Sequence, residues 1–67
     1  MIQVTVNGEI RQFESATNLS RLIENMGLAG KRLALERNGE IVPRSRLDQE
    51  TLAHGDRLEI VIAVGGG

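Results

Sequence analysis

Gly65-Gly66-Gly67 follows Val64 and closes the sequence, directly behind a run of alternating apolar residues. A stretch without Cβ atoms can enter a channel too narrow for other residues and bring an α-carboxylate to a buried reactive centre. A free carboxylate is a poor acyl donor. Joined to a good leaving group such as AMP, it becomes open to attack by a sulfur or amine nucleophile. Glycine obstructs that attack least. On this reading Gly67 carries the reacting group, Gly66 and Gly65 form its flexible approach, and a partner supplies the catalytic residues. The competing reading is a frayed terminus without a task.

No other constellation competes with the glycines. His54 is the sole histidine, in a His-Gly-Asp turn with Asp56 nearby and no cysteine anywhere to act as nucleophile. It reads as a solvated turn residue. The carboxylates are scattered singly, without the spacing of a metal loop, and no histidine pair exists. Gly27-Leu28-Ala29-Gly30-Lys31 has a phosphate-loop flavour but follows a helix instead of opening one. Arg44 and Arg46 could grip a partner's carboxylates, or simply be solvated in a loop. The expectation is a chain with no catalytic site and no metal of its own.

Composition narrows the classes further. The 67 residues amount to one domain, and a chain this short buries only about 60% of the surface its unfolded form exposes. With no cysteine there is neither a disulfide framework nor a thiolate metal site. Eight basic and nine acidic residues give a net charge of −1, and Phe13 is the only aromatic residue. Nucleic-acid binding is thereby disfavoured, since it needs a positive surface and stacking groups. No apolar run approaches the ~20 residues of a membrane span. The beginning lacks the basic-then-apolar pattern of a secretion signal. A cytoplasmic protein is expected.

The elements that must position the glycines can be read from hydrophobic periodicity. Ile2, Val4 and Val6 alternate with polar residues, as in a half-buried strand. Asn7-Gly8 marks a hairpin turn. A second strand runs from about Glu9 to Phe13. Ile10 and Phe13 are three apart, so either a bulge intervenes or one of them lies outside the core. Leu19, Leu22, Ile23 and Met26 form one helical stripe on a helix of about nine residues. Thr17 is the expected N-cap, and Gly27 with Leu28 is the expected C-terminal stop. Arg21 and Glu24 belong on its exposed face. Leu33 to Arg37 and Glu40 to Val42 read as strands about a turn at Asn38-Gly39, with Pro43 ending the second. Arg44 to Leu52 reads as irregular or a single helical turn. Leu58, Ile60, Ile62 and Val64 define the last strand, and apolar Val61 and Ala63 imply cover on both faces for part of it. The fold class is α+β, with one main helix packed across a mixed sheet of four to five strands.

These residues also carry a family resemblance. Asn38-Gly39-Glu40-Ile41-Val42-Pro43-Arg44-Ser45, Gly55-Asp56-Arg57-Leu58-Glu59-Ile60-Val61 and Val64-Gly65-Gly66-Gly67 are similar to the ThiS family of sulfur carriers in thiamine biosynthesis. Val4-Thr5-Val6-Asn7-Gly8 and the helix ending at Gly27-Leu28 extend the likeness over essentially the whole chain. The resemblance implies a β-grasp, ubiquitin-like roll over residues 1–64 and a flexible tail at 65–67. It further implies that a ThiF-type adenylating enzyme activates Gly67 with ATP and Mg²⁺. A sulfur donor, such as a cysteine desulfurase relay, converts the product to a thiocarboxylate. A ThiG-type thiazole synthase then receives the sulfur. The family minimum is two glycines, and Gly65 lengthens the approach by one. Alternatives are a molybdopterin-type or other ubiquitin-like sulfur carrier, or a non-catalytic β-grasp interaction module with an idle tail. Because the tail must enter a partner, the docking surface is expected beside the last strand, at Arg57 and Glu59.

Overall fold

The computed structural model describes residues 1–63. Val64 and the tail expected at Gly65 to Gly67 lie outside the described residues. β1 (Ile2–Val6) and β2 (Glu9–Phe13) are joined at Asn7-Gly8. Helix α1 (Leu19–Asn25) follows, then β3 (Leu33–Arg37), β4 (Glu40–Val42), a 3₁₀ turn at Arg44–Arg46, and β5 (Arg57–Ile62). The sheet order is β2-β1-β5-β3-β4. β1 and β5 run parallel in the middle, and the other pairs are antiparallel. The sheet is therefore mixed and five-stranded, as expected.

Both hairpins are built on Asn-Gly. Asn7 and Gly8 have φ of 50° and 85°, and Asn38 and Gly39 have 52° and 87°. Two successive positive φ values define the tight turn whose twist matches that of the flanking strands. β2 pairs with β1 in an unbroken register from Ile2↔Phe13 to Val6↔Glu9. No bulge intervenes, so Ile10 points away from the core and is 65% exposed, while Phe13 is buried.

The helix is held at both ends. Asn18, not Thr17, is the N-cap: its Oδ1 accepts the Arg21 N–H at 2.8 Å. The Leu19 and Ser20 N–H groups donate to the carbonyls of Glu50 and Leu47. The Thr17 carbonyl instead accepts the Leu52 N–H at 2.8 Å, which places Thr17 one residue ahead of the cap. At the other end Gly27 adopts φ of 74°. Its N–H donates to Glu24 C=O, and the Leu28 N–H donates to Ile23 C=O, both at 3.0 Å. This paired closure needs the left-handed residue at Gly27.

Leu19, Leu22 and Ile23 of the helix join Val4, Val6, Phe13, Leu35, Val42, Leu52, Leu58 and Ile60 in one apolar core. Met26, Leu28, Leu33 and Leu47 pack against its margin. Among the described residues, nothing covers the opposite face of the sheet. The expected two-sided cover of β5 is thus corrected: Val61 is 65% exposed, and Ala63 is exposed as well. The single helix lies on the inner face, leaving outward residues of β5 to solvent.

Candidate functional site

Alternation along the strands fixes what the outer face presents. In β5 the inward residues are Leu58 and Ile60, so Arg57, Glu59 and Val61 point outward. The register with β3 sets Ala34 opposite Val61 and Glu36 opposite Glu59. On β4, Ile41 lies opposite Glu36 and is 70% exposed. The expected docking residues Arg57 and Glu59 therefore share one face and line a single open depression of about 500 Å³ with Glu36.

Sequence reading overlooked Glu36. Directly opposed like charges destabilise a sheet pair, and among the described residues no cation lies within ion-pairing distance of Glu36 or Glu59. The strand pairing itself needed to place Glu36 against Glu59 is not written in either strand alone.

The beginning of β5 is braced from below by Asp56, the only buried polar residue described, at 6% exposure. Ala53 N–H donates to its Oδ2 at 2.9 Å, and Asn38 Nδ2 donates to its Oδ1 at 3.1 Å. Arg37 Nη2 lies 2.9 Å from Oδ2. Burial pushes the Asp56 carboxyl up, but the Ala53 N–H, the Asn38 amide and the Arg37 guanidinium together hold it below the usual carboxylate range. Arg37 also donates to Glu50 Oε1 at 3.1 Å and to the Thr51 carbonyl at 2.9 Å. Asn38 then accepts the Arg57 N–H at 2.9 Å and donates its own N–H to the Arg57 carbonyl at 2.7 Å. The cluster ties the 44–56 connection to β3 and sets where β5 begins.

The remaining candidates have ordinary placements. His54 is exposed in its turn, and its Nδ1 accepts the Gln3 N–H at 3.0 Å. Arg46 Nε sits 3.4 Å from Glu50 Oε2, and Arg44 is exposed. Arg21 and Glu24 are on the exposed helix face. No His/Cys/Asp/Glu group suited to a metal occurs among the described residues. No helix of the described residues is long and apolar enough to cross a membrane. The position of Gly65, Gly66 and Gly67 lies outside the described residues.

A mixed sheet in the order 2-1-5-3-4, with its two terminal strands parallel at the centre and one helix across a face, defines a ubiquitin-like β-grasp domain. The crystal structure of a thiamine biosynthesis protein (ThiS) from Geobacter metallireducens matches it with a TM-score of 0.82 and 29% identity, covering 98% of this chain and 100% of that one. A solution structure of a thiamine biosynthesis protein from the same organism matches with a TM-score of 0.76 and 30% identity, over 98% and 88%. The ThiS family model matches residues 4–67, and the chain belongs to the ThiS family. Two curated relatives are thiazole synthases. That of Paramagnetospirillum magneticum is 39% identical and that of Magnetococcus marinus 33%, each over 98% of this chain. The chain spans 20% of the length of each.

Proposed function

We propose that this domain is a protein co-substrate whose Gly67 α-carboxylate is converted to a thiocarboxylate and delivers sulfur for thiazole formation. In the first step a carboxylate oxygen attacks the α-phosphorus of ATP. An acyl adenylate forms and pyrophosphate leaves. Mg²⁺ and the catalytic groups belong to a ThiF-type adenylating enzyme. In the second step a hydrosulfide equivalent attacks the glycyl carbonyl; a donor such as a cysteine desulfurase relay carries it as a persulfide, and a thiol reductant releases it and is itself oxidised to a disulfide. The C–S bond forms, the C–O bond to AMP breaks, and AMP departs. Gly66 and Gly65 give the carbonyl a slender approach to that centre.

The observation that carries this reading is the family match, which runs from residue 4 through the glycines to residue 67. The thiazole synthase relatives favour a ThiG-type acceptor over a molybdopterin pathway. Docking falls to the outer face beside β5, with Arg57 and Glu59 at its centre and apolar Ile41 and Val61 flanking them. The uncompensated Glu36 and Glu59 fit a cationic group on the partner. The setting is the cytoplasm, where ATP and reduced sulfur carriers are at hand.

Intact-protein mass after incubation with ATP, Mg²⁺, a sulfur donor and a ThiF-type enzyme tests the reading. A gain matching replacement of one oxygen by sulfur, localised to Gly67, is expected. An unchanged mass, with an enzyme proven active on its own carrier, would overturn it in favour of an interaction module.

A further inference from the structure

β5 outruns its parallel neighbour. β1 pairs with it at Thr5↔Arg57 and Val6↔Leu58 and then turns away. One more backbone bond follows, from Asn7 N–H to Leu58 C=O at 2.9 Å. Beyond it a side chain takes over. Asn7 Oδ1 accepts the Ile60 N–H at 2.8 Å, and Asn7 Nδ2 donates to the Ile60 carbonyl at 3.2 Å. One amide thus satisfies both backbone groups of a strand residue that has no strand beside it on that side. On the other edge β3 holds β5 as far as Ala63, whose N–H donates to the Arg32 carbonyl at 2.8 Å.

We infer that Asn7 is a positioning residue for the reacting carboxylate: its amide fixes the line along which β5 leaves the sheet towards the glycines. The inference rests on the carrier reading of Gly67. Without the amide, Ile60 to Ala63 are held from the β3 side alone, and the last residue fixed on both sides moves back along β5. Each extended residue spans roughly 3.3–3.6 Å, comparable to the ~3–3.5 Å separation that reacting atoms must reach. Freeing further residues of β5 lowers the effective concentration of a terminal group at a fixed site. Arg57 keeps its pairing with β1 and Glu59 its pairing with β3, so the charged centre of the docking face is retained.

The turn alone asks only for positive φ at residue 7, and glycine meets that demand. Asn7→Gly therefore removes the clamp and keeps the hairpin. Thiocarboxylate formation is measured by intact mass against carrier concentration, with a ThiF-type enzyme, ATP, Mg²⁺ and sulfide. Amide exchange at Ile60 is followed in parallel. Asn7→Gly is expected to lower kcat roughly 10-fold with KM within about twofold, as misplacement after docking requires, and to speed Ile60 exchange. Asn7→Asp keeps the Oδ1 acceptor and recovers part of the rate. Ile23→Val trims the core from helix α1, leaves the Asn7–Ile60 clamp in place, and keeps the wild-type kcat despite its lower stability. Wild-type kcat in Asn7→Gly, an equal fall in Ile23→Val, or a change confined to KM would overturn the inference. A wild-type chain that gains no sulfur would instead remove the carrier reading, and this inference with it.

Discussion

Replacing Asp56 by Ala should be the most damaging single substitution outside the apolar core. The carboxylate is 7% exposed and receives the Ala53 N–H, the Asn38 amide and the Arg37 guanidinium. Removing one member of a buried pair costs roughly 3–5 kcal/mol when the other is stranded. Here Arg37 keeps Glu50 and the Thr51 carbonyl, so the cost falls at the lower end, about 3 kcal/mol. A chain of this size has a total stability of roughly 3–10 kcal/mol at the usual 0.05–0.15 kcal/mol per residue. The melting temperature should fall by roughly 12–24 °C, at ~4–8 °C per kcal/mol. Far-UV circular dichroism is the suitable probe, because the chain has no Trp or Tyr. The effect should also depend on pH. The folded-state pKa of Asp56 is depressed. Its stabilisation is therefore fully present above the unfolded value, about 3.9, and is lost as pH falls through the lower folded value. Wild type and variant should converge at the acid end. A melting shift under about 4 °C at neutral pH, or a gap that does not narrow in acid, would refute the assignment of Asp56 as a structural brace.

Asn18→Ala removes the helix cap and should cost about 1 kcal/mol in thermal or urea unfolding, whereas Thr17→Ala should cost clearly less. Gly67→Ala should melt like the wild type yet form thiocarboxylate poorly, and full sulfur transfer by that variant would defeat the tail chemistry. Glu59→Lys should act in opposite senses on two measurements. It removes the repulsion with Glu36 and raises stability by roughly 0.5 kcal/mol, while it weakens binding to the adenylating enzyme. Arg57→Glu should weaken the same binding. Unchanged affinity in both would place the docking surface elsewhere.

Much of this architecture is written in local pattern. Asn7-Gly8 and Asn38-Gly39 announce both hairpins because few other residue pairs accept two positive φ values in succession. The bounds of β3 and β4 follow from the second of these turns and from Pro43. The stripe from Leu19 to Met26 defines the helix, although the adjacent cap-forming residues Thr17 and Asn18 make its first residue ambiguous by one position. Long-range features were not legible. The burial of Asp56 depends on Arg37 arriving from β3, and the Glu36–Glu59 opposition depends on strand register. Val61 and Ala63 are apolar yet exposed, so a rule equating apolar with covered misplaces them. The glycines were legible by type and order alone, and the family match extends over them.

The parallel pairing of β1 with β5 has a consequence for how the protein is made. During synthesis β1 must wait for β5, about fifty residues later, before the centre of the sheet exists. Until Arg57 and Leu58 are available, Val4 and Val6 have only the β2 hairpin beside them, and a lone hairpin is marginal in water. Folding of this domain is thus deferred until β5 has been made, with the slow closure that such distant contacts impose. A prematurely terminated product would lack both the central strand and the residues that follow it. It could not form this sheet.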